Sequence, residues 1–83
     1  MHESGLIEDL LQKVESLVRA NGGRRAVVIE VSIGPLAFIE ADHLREHFKI
    51  AAPGTVAEGA ELRVTVSEDP SAVVLQSVEV EIE

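Results

Sequence analysis

The chain has 83 residues, of which 46% are hydrophobic, and this composition predicts one small globular domain with an aliphatic core. Its net charge of −8 is spread along the sequence without a basic stripe, which argues against nucleic-acid binding. The absence of cysteine excludes disulfides, thiolate zinc sites and cysteine nucleophiles. The sequence has neither a signal-peptide pattern nor the roughly 20-residue apolar run of a membrane span, so we expect a soluble, cytoplasmic protein.

The first predicted element is an amphipathic helix of about four turns. Ser4 is placed to cap its start, and the run Asn21-Gly22-Gly23 is placed to end it. Its apolar residues recur at helical spacing and should face the core: Leu6, Ile7, Leu10, Leu11, Val14, Leu17 and Val18.

Three residues just ahead of this helix, Met1-His2-Glu3, form a candidate metal site. The amine of Met1, the deprotonated amide of His2 and the His2 imidazole can close two fused chelate rings, and Glu3 can supply a fourth donor. Nitrogen and oxygen donors in this tetragonal arrangement suit Ni(II) or Cu(II). The residues alone leave open an ordinary chain start, in which Glu3 complements the positive end of the helix dipole.

A half-buried strand is predicted from Arg25 to Gly34, and a second helix from about Ala41 to Ala52, stopped by Pro53-Gly54. An irregular connection, residues 36–40, joins them. The strand should point Val27, Ile29, Val31 and Ile33 inward, and the helix should bury Leu44, Phe48 and Ala51.

Two further strands are predicted, from Glu61 to Glu68 and from Ser71 to Glu83. Alternation predicts the inward residues of the first as Leu62, Val64 and Val66, and those of the second as Val74, Gln76, Val78, Val80 and Ile82. The order α-β-α-β-β predicts an α+β two-layer sandwich, with two helices packed on one face of a three-stranded mixed sheet.

Val28, Val73 and Leu75 are out of step with these inward patterns. They are predicted either to form an apolar patch on the open sheet face, and with it a dimer contact, or to be scattered surface residues. The last strand is long, and exchanging it between two copies is a low-cost route to a homodimer.

His43 and His47 are four residues apart on the second helix, so with Glu46 nearby they are a separate candidate pair of metal ligands. The alternative is a pair of ordinary half-buried or surface histidines. No convergent set of general acid, base and nucleophile is present, so the sequence does not predict an enzyme.

Several segments in order resemble the HypA-type nickel metallochaperone family. They are Met1-His2-Glu3, residues 27–44 (VVIEVSIGPLAFIEADHL), residues 54–70 (GTVAEGAELRVTVSEDP) and residues 77–83 (SVEVEIE). Each motif is weak alone, but their order extends over almost the whole chain. The resemblance implies a single nickel-binding-type domain over residues 1–83. In that family a zinc module with two CxxC knuckles lies before the last strand, and here it is absent between about residues 68 and 72, so we expect no structural zinc.

The resemblance also implies a function and a ligand set. Met1, His2 and Glu3 become the expected Ni(II) ligands, with Glu40 as a weaker additional ligand; alternatively Glu40 is an exposed acid that complements the helix dipole. The implied role is a non-enzymatic nickel carrier for [NiFe]-hydrogenase maturation, or in some organisms for urease. The implied partners are a HypB-type GTPase and the hydrogenase large-subunit precursor. The alternative function is a zinc-free interaction or dimerisation module with the same fold.

Overall fold

A computed structural model describes residues 3–35, 40–68 and 73–82, with residues 3 and 4 as backbone only. The elements follow the predicted order: α1 (Glu3–Ala20), β1 (Arg25–Ile33), α2 (Ala41–Ala51), β2 (Glu61–Val66) and β3 (Val73–Glu81). The predicted fold class is confirmed, since these elements form an α+β sandwich with a mixed sheet. No helix in the described ranges is long and apolar enough to cross a membrane.

The end of α1 agrees with its glycine-rich sequence. Gly22 adopts a φ of 67°, its amide donates to the Arg19 carbonyl at 3.0 Å, and the amide of Gly23 donates to the Val18 carbonyl at 2.9 Å. This is the paired hydrogen-bond pattern of a Schellman cap, in which a residue in left-handed conformation closes the helix. The cap reverses the chain, so β1 runs back along α1.

The sheet has the order β2-β1-β3, with β1 in the centre. β1 pairs with β2 in parallel and with β3 in antiparallel orientation. A parallel pair requires a crossover connection, and α2 supplies it. Both helices cover one face of the sheet, because buried residues of α1, β1 and α2 share one cluster: Ile7, Leu10, Val14, Val18, Ala26, Ile29, Val31, Ile33, Leu44, Phe48, Ala52 and Ala57.

The inward pattern predicted for β1 is wrong at its start. Ala26 is fully buried, whereas Val27 is only half-buried, because the pairing with β3 shifts by one residue between Ala26 and Val28. Val27 is thus the extra residue of a β-bulge, which changes the phase of the alternation. From Ile29 onward the predicted inward residues are correct.

The inward pattern predicted for β3 is wrong over its first half for the same reason. The register passes from Ser77 opposite Glu30 to Leu75 opposite Val31, which leaves Gln76 as an extra residue. Val73 and Leu75 therefore pack against the core, together with Val78 and Val80 as predicted, while Val74 is exposed. Ile82, also predicted inward, is 64% exposed beyond the end of the strand.

This shift also removes the apolar patch predicted on the open sheet face, because Val73 and Leu75 lie on the helix side.

In β2, Leu62 and Val64 pack inward as predicted, but Val66 is 87% exposed, because the strand ends there rather than at Glu68. The short connection predicted before β3 includes residues 69–72, which lie outside the described residues.

The open face is instead polar. The Ser77 hydroxyl donates to the Glu30 carboxylate at 2.8 Å, and the Gln76 amide donates to the hydroxyl of the buried Ser32 at 2.8 Å. Within β2, Arg63 binds Glu61 two residues before it, and this carboxylate raises the pKa of the guanidinium. A face covered by such pairs suits contact with water.

Leu44 should be a main determinant of stability, because its side chain is fully buried between α2 and the sheet. Leu44→Ala leaves a cavity and is expected to lower the free energy of unfolding by about 2–5 kcal/mol. The matched control is Ile50→Ala on the same helix, where the side chain is 78% exposed. This control should change the stability by no more than about 0.5 kcal/mol. Urea denaturation monitored by circular dichroism measures both, and equal losses would contradict the assigned burial.

Candidate metal centre

The topology brings the start of both helices to one end of the sheet. Residues 21–24 form a tight reversal, with the Arg24 amide donating to the Glu81 carbonyl at 2.8 Å, so α1 runs antiparallel to β1. α2 leaves from the far end of β1 and returns the chain to the start of a parallel strand, so it also runs antiparallel to β1. The 18 residues of α1 extend about 27 Å and the nine of β1 about 30 Å. Each helix therefore starts where β1 ends.

Glu40 is the one predicted ligand whose side chain is described. It is the N-cap residue of α2, with extended backbone angles (φ −89°, ψ 150°), and its carbonyl accepts the Leu44 amide at 3.0 Å. Its side chain is exposed and makes no capping hydrogen bond. The carboxylate is thus accessible to a metal, and it also lies where it complements the helix dipole.

The other predicted ligands are not placed as side chains. Met1 and His2 lie outside the described residues, and Glu3 is the first residue of α1, described by its backbone alone. The ligand set of Met1, His2, Glu3 and Glu40 therefore stays a prediction. What the fold adds is that Glu3 and Glu40 each begin a helix at the same end of the sheet.

Within residues 3–35, 40–68 and 73–82, no group of three or more histidine, aspartate or glutamate side chains is close enough to hold a metal ion. The helix N-termini disfavour a bare cation but stabilise anionic donors such as ionised amides and carboxylates. This environment fits a site in which the ligands are deprotonated on binding.

Sequence reasoning overlooked Asp42, a second acidic residue at the start of α2. Its carboxylate is 92% exposed and accepts a hydrogen bond from Arg45 at 3.2 Å. The signal that could have identified it is an acid in the first turn of a predicted helix, two residues after a candidate ligand. Because it already has a cationic partner, Asp42 is a useful comparison for Glu40.

The segment after α2 has a structural role at the opposite end of the molecule. The Gly54 amide donates to the Glu58 carboxylate at 2.7 Å, and Gly59 adopts a φ of 77°. The Ala26 amide donates to the Val56 carbonyl at 2.8 Å, which ties this turn to the start of β1. The Glu58-Gly59-Ala60 motif, part of the family resemblance, therefore connects α2 to β2 rather than contributing to the candidate metal centre.

Residues 1–74 match the model of a family described as "HypA: Hydrogenase/urease nickel incorporation, metallochaperone, hypA". The hydrogenase maturation factor HypA of Xanthobacter autotrophicus is 40% identical over 72 residues, which cover 87% of this chain and 63% of that protein. The factor of Chlorobium limicola is 42% identical over 64 residues, covering 77% and 55%. The chain thus matches only 63% and 55% of the length of these two relatives.

Two solved structures share the fold. The solution structure of the Ni metallochaperone HypA from Helicobacter pylori superposes with a TM-score of 0.89 at 14% identity and covers both chains fully. A second solution structure of a HypA protein gives a TM-score of 0.79 at 16% identity, covering 100% of this chain and 98% of that one. The family match over residues 1–74 shows that the chain belongs to the HypA family of metallochaperones, a class of metal-delivery proteins rather than enzymes.

Proposed function

We propose that this chain is a nickel carrier, which binds Ni(II) at Met1-His2-Glu3 and delivers it for the maturation of [NiFe]-hydrogenase or urease. The observation that carries the proposal is the family match, which begins at residue 1 and so includes the three predicted ligands. The chemistry agrees with it, since an amine, an ionised amide and an imidazole favour tetragonal Ni(II).

The proposed site suits transfer rather than storage. Its nitrogen ligands must lose protons before they bind, so protons compete with the metal and the affinity is moderate. The donors come from the start of the chain, and the exposed Glu40 carboxylate can assist from the folded layer. A partner with stronger ligands can therefore remove the metal without unfolding the α+β domain.

The proposal includes partners and a place of action. The metal would be exchanged with a HypB-type GTPase and passed to the hydrogenase large-subunit precursor in the cytoplasm. The domain would act over residues 1–83 without a zinc module between residues 68 and 72, because the chain contains no cysteine to hold zinc. Exchange of β3, an edge strand paired only with β1, would give a homodimer.

Nickel titration of the protein with a free Met1 amine tests the central step. Isothermal calorimetry is expected to show a Ni(II) site that requires the free Met1 amine, and absorption spectroscopy a d–d band typical of square-planar nickel. His2→Ala removes both the imidazole and the chelate ring that it closes, so the band should disappear. Acetylation of the Met1 amine removes that donor and should have the same effect.

Circular dichroism spectra of both altered proteins serve as the control, because neither change touches the core and each protein should remain folded. If the wild-type protein binds no nickel, or binds it equally well after both changes, the carrier proposal is wrong. The domain would then fit the zinc-free interaction module better.

The contribution of Glu40 can be separated from the general charge of the helix start. Glu40→Gln and Asp42→Asn each remove one negative charge from the start of α2, and both side chains are exposed. If Glu40 binds the metal, only Glu40→Gln should weaken Ni(II) binding, by roughly tenfold, which corresponds to about 1.4 kcal/mol. Neither variant should alter the stability by more than about 0.5 kcal/mol. Equal effects of the two variants on affinity would show that Glu40 acts only through long-range electrostatics.

A further inference from the structure

The exposed surface of α2 is divided into two chemically different flanks. With about 100° of rotation per residue, Arg45 and Lys49 lie on one side of the buried stripe of Leu44 and Phe48, and His43 and His47 lie on the other. Arg45 and Lys49 border a groove against Glu61 and Leu62 of β2, so the cationic flank faces the edge strand. The histidine flank therefore faces away from β2.

The two histidines have the spacing of a pair of ligands that bind one metal ion. Residues four apart on a helix differ by about 40° in direction, and their Cβ atoms lie about 5–6 Å apart. His43 is exposed and His47 is half-buried, so a solvated cation can reach the pair from outside. The sequence His43-Leu44-Arg45-Glu46-His47 matches the helical spacing H-x-x-E-H, in which two histidines bind one metal ion.

The backbone that carries the pair is held firmly. Leu44 is fully buried and Phe48 is 5% exposed, so one residue in each turn anchors α2 to the core. The helix ends in an ordered turn, where the Ala52 amide donates to the Phe48 carbonyl at 2.9 Å and the Thr55 hydroxyl donates to the Ala52 carbonyl at 2.7 Å. A fixed helix lowers the entropy cost of bringing two ligands onto one metal.

The charges around the pair favour a cation. Glu40 precedes His43 by three residues and Glu46 follows it by three, so two carboxylates lie within one turn. The guanidinium of Arg45 is directed to Asp42 at 3.2 Å. The dipole of α2 disfavours a cation beside His43 in the first turn, and the exposed carboxylates offset this effect.

We propose that His43 and His47 form a second metal site, separate from the start of the chain, which takes a borderline divalent ion such as Ni(II), Cu(II) or Zn(II). Imidazole is a suitable ligand for all three ions. No third histidine or carboxylate converges on the pair among the described residues, so the remaining coordination positions are left to water or to a donor from another molecule. Such an open site exchanges its metal readily.

The test uses the full chain with its Met1 amine acetylated, which disables the N-terminal chelate, and Ni(II) alone as the probe. Calorimetry should still give one Ni(II) per chain, bound more weakly than at the N-terminal site of the unmodified protein. Losing an outer partner of a metal-bound histidine already costs roughly tenfold in affinity. His43→Gln and His47→Gln remove a ligand itself, so each should weaken binding at least as much.

The matched control is His2→Gln in the same acetylated protein, which removes the one remaining histidine of the chain and should change nothing. Backbone amide NMR should show paramagnetic broadening concentrated on residues 43–47. His43 is exposed, so His43→Gln is the decisive variant even if His47→Gln destabilises the fold. The α2 site is disproved if the acetylated protein binds no Ni(II), or if binding survives His43→Gln unchanged. Neither result affects the N-terminal site, which the unmodified protein tests separately.

Discussion

The position of β1 between two differently oriented strands is the constraint on which the rest of the molecule depends. Its parallel pairing with β2 cannot be closed by a hairpin, so α2 must cross the sheet and pack on it. The tight reversal after α1 brings the first helix back along the same strand. Both helices thereby share one face and one direction, and both begin where β1 ends.

This arrangement separates the chemistry of the domain from the elements that stabilise it. The core lies between the helices and β1, whereas the connecting turn of residues 52–60 is fixed at the end of the sheet where β1 starts. The proposed nickel ligands belong to the other end, where each helix presents its N-terminus. In the proposed carrier, metal loading would therefore change with little effect on packing.

The two proposed sites differ in how they depend on the fold. The N-terminal site draws its donors from three consecutive residues, so the local chain supplies most of its geometry. The histidine pair on α2 depends on the helix and on the anchoring of Leu44 and Phe48, because the two imidazoles meet only if the helix is intact. Unfolding would abolish the second site directly, while short peptides could still reproduce the first.

Local sequence patterns predicted the order of the elements, the glycine cap of α1 and the amphipathic faces of both helices, because each depends on local spacing and local backbone freedom. The exception is Leu17, predicted to face the core but 41% exposed. The sequence also identified the family through the ordered motifs that begin with Met1-His2-Glu3. The sequence could not determine the inward residues of β3, since strict alternation assumes a strand without bulges. The bulge at Gln76 arises only from the pairing with β1, in which Ser77 lies opposite Glu30 and Leu75 opposite Val31. The same holds for the bulge at Val27.

Of the candidate ligands, the sequence named Glu40 only through family resemblance, and its place as the exposed N-cap of α2 was decided by the tertiary structure. That the two helices start at the same end of the sheet was likewise a tertiary result. Along the chain 36 residues lie between Glu3 and Glu40, and only the parallel crossover brings the two helix starts to one end. Local periodicity specifies which face of an element is apolar. Strand pairing, which joins residues distant in sequence, decides which side chains share that face and which helix ends lie at the same end of the sheet.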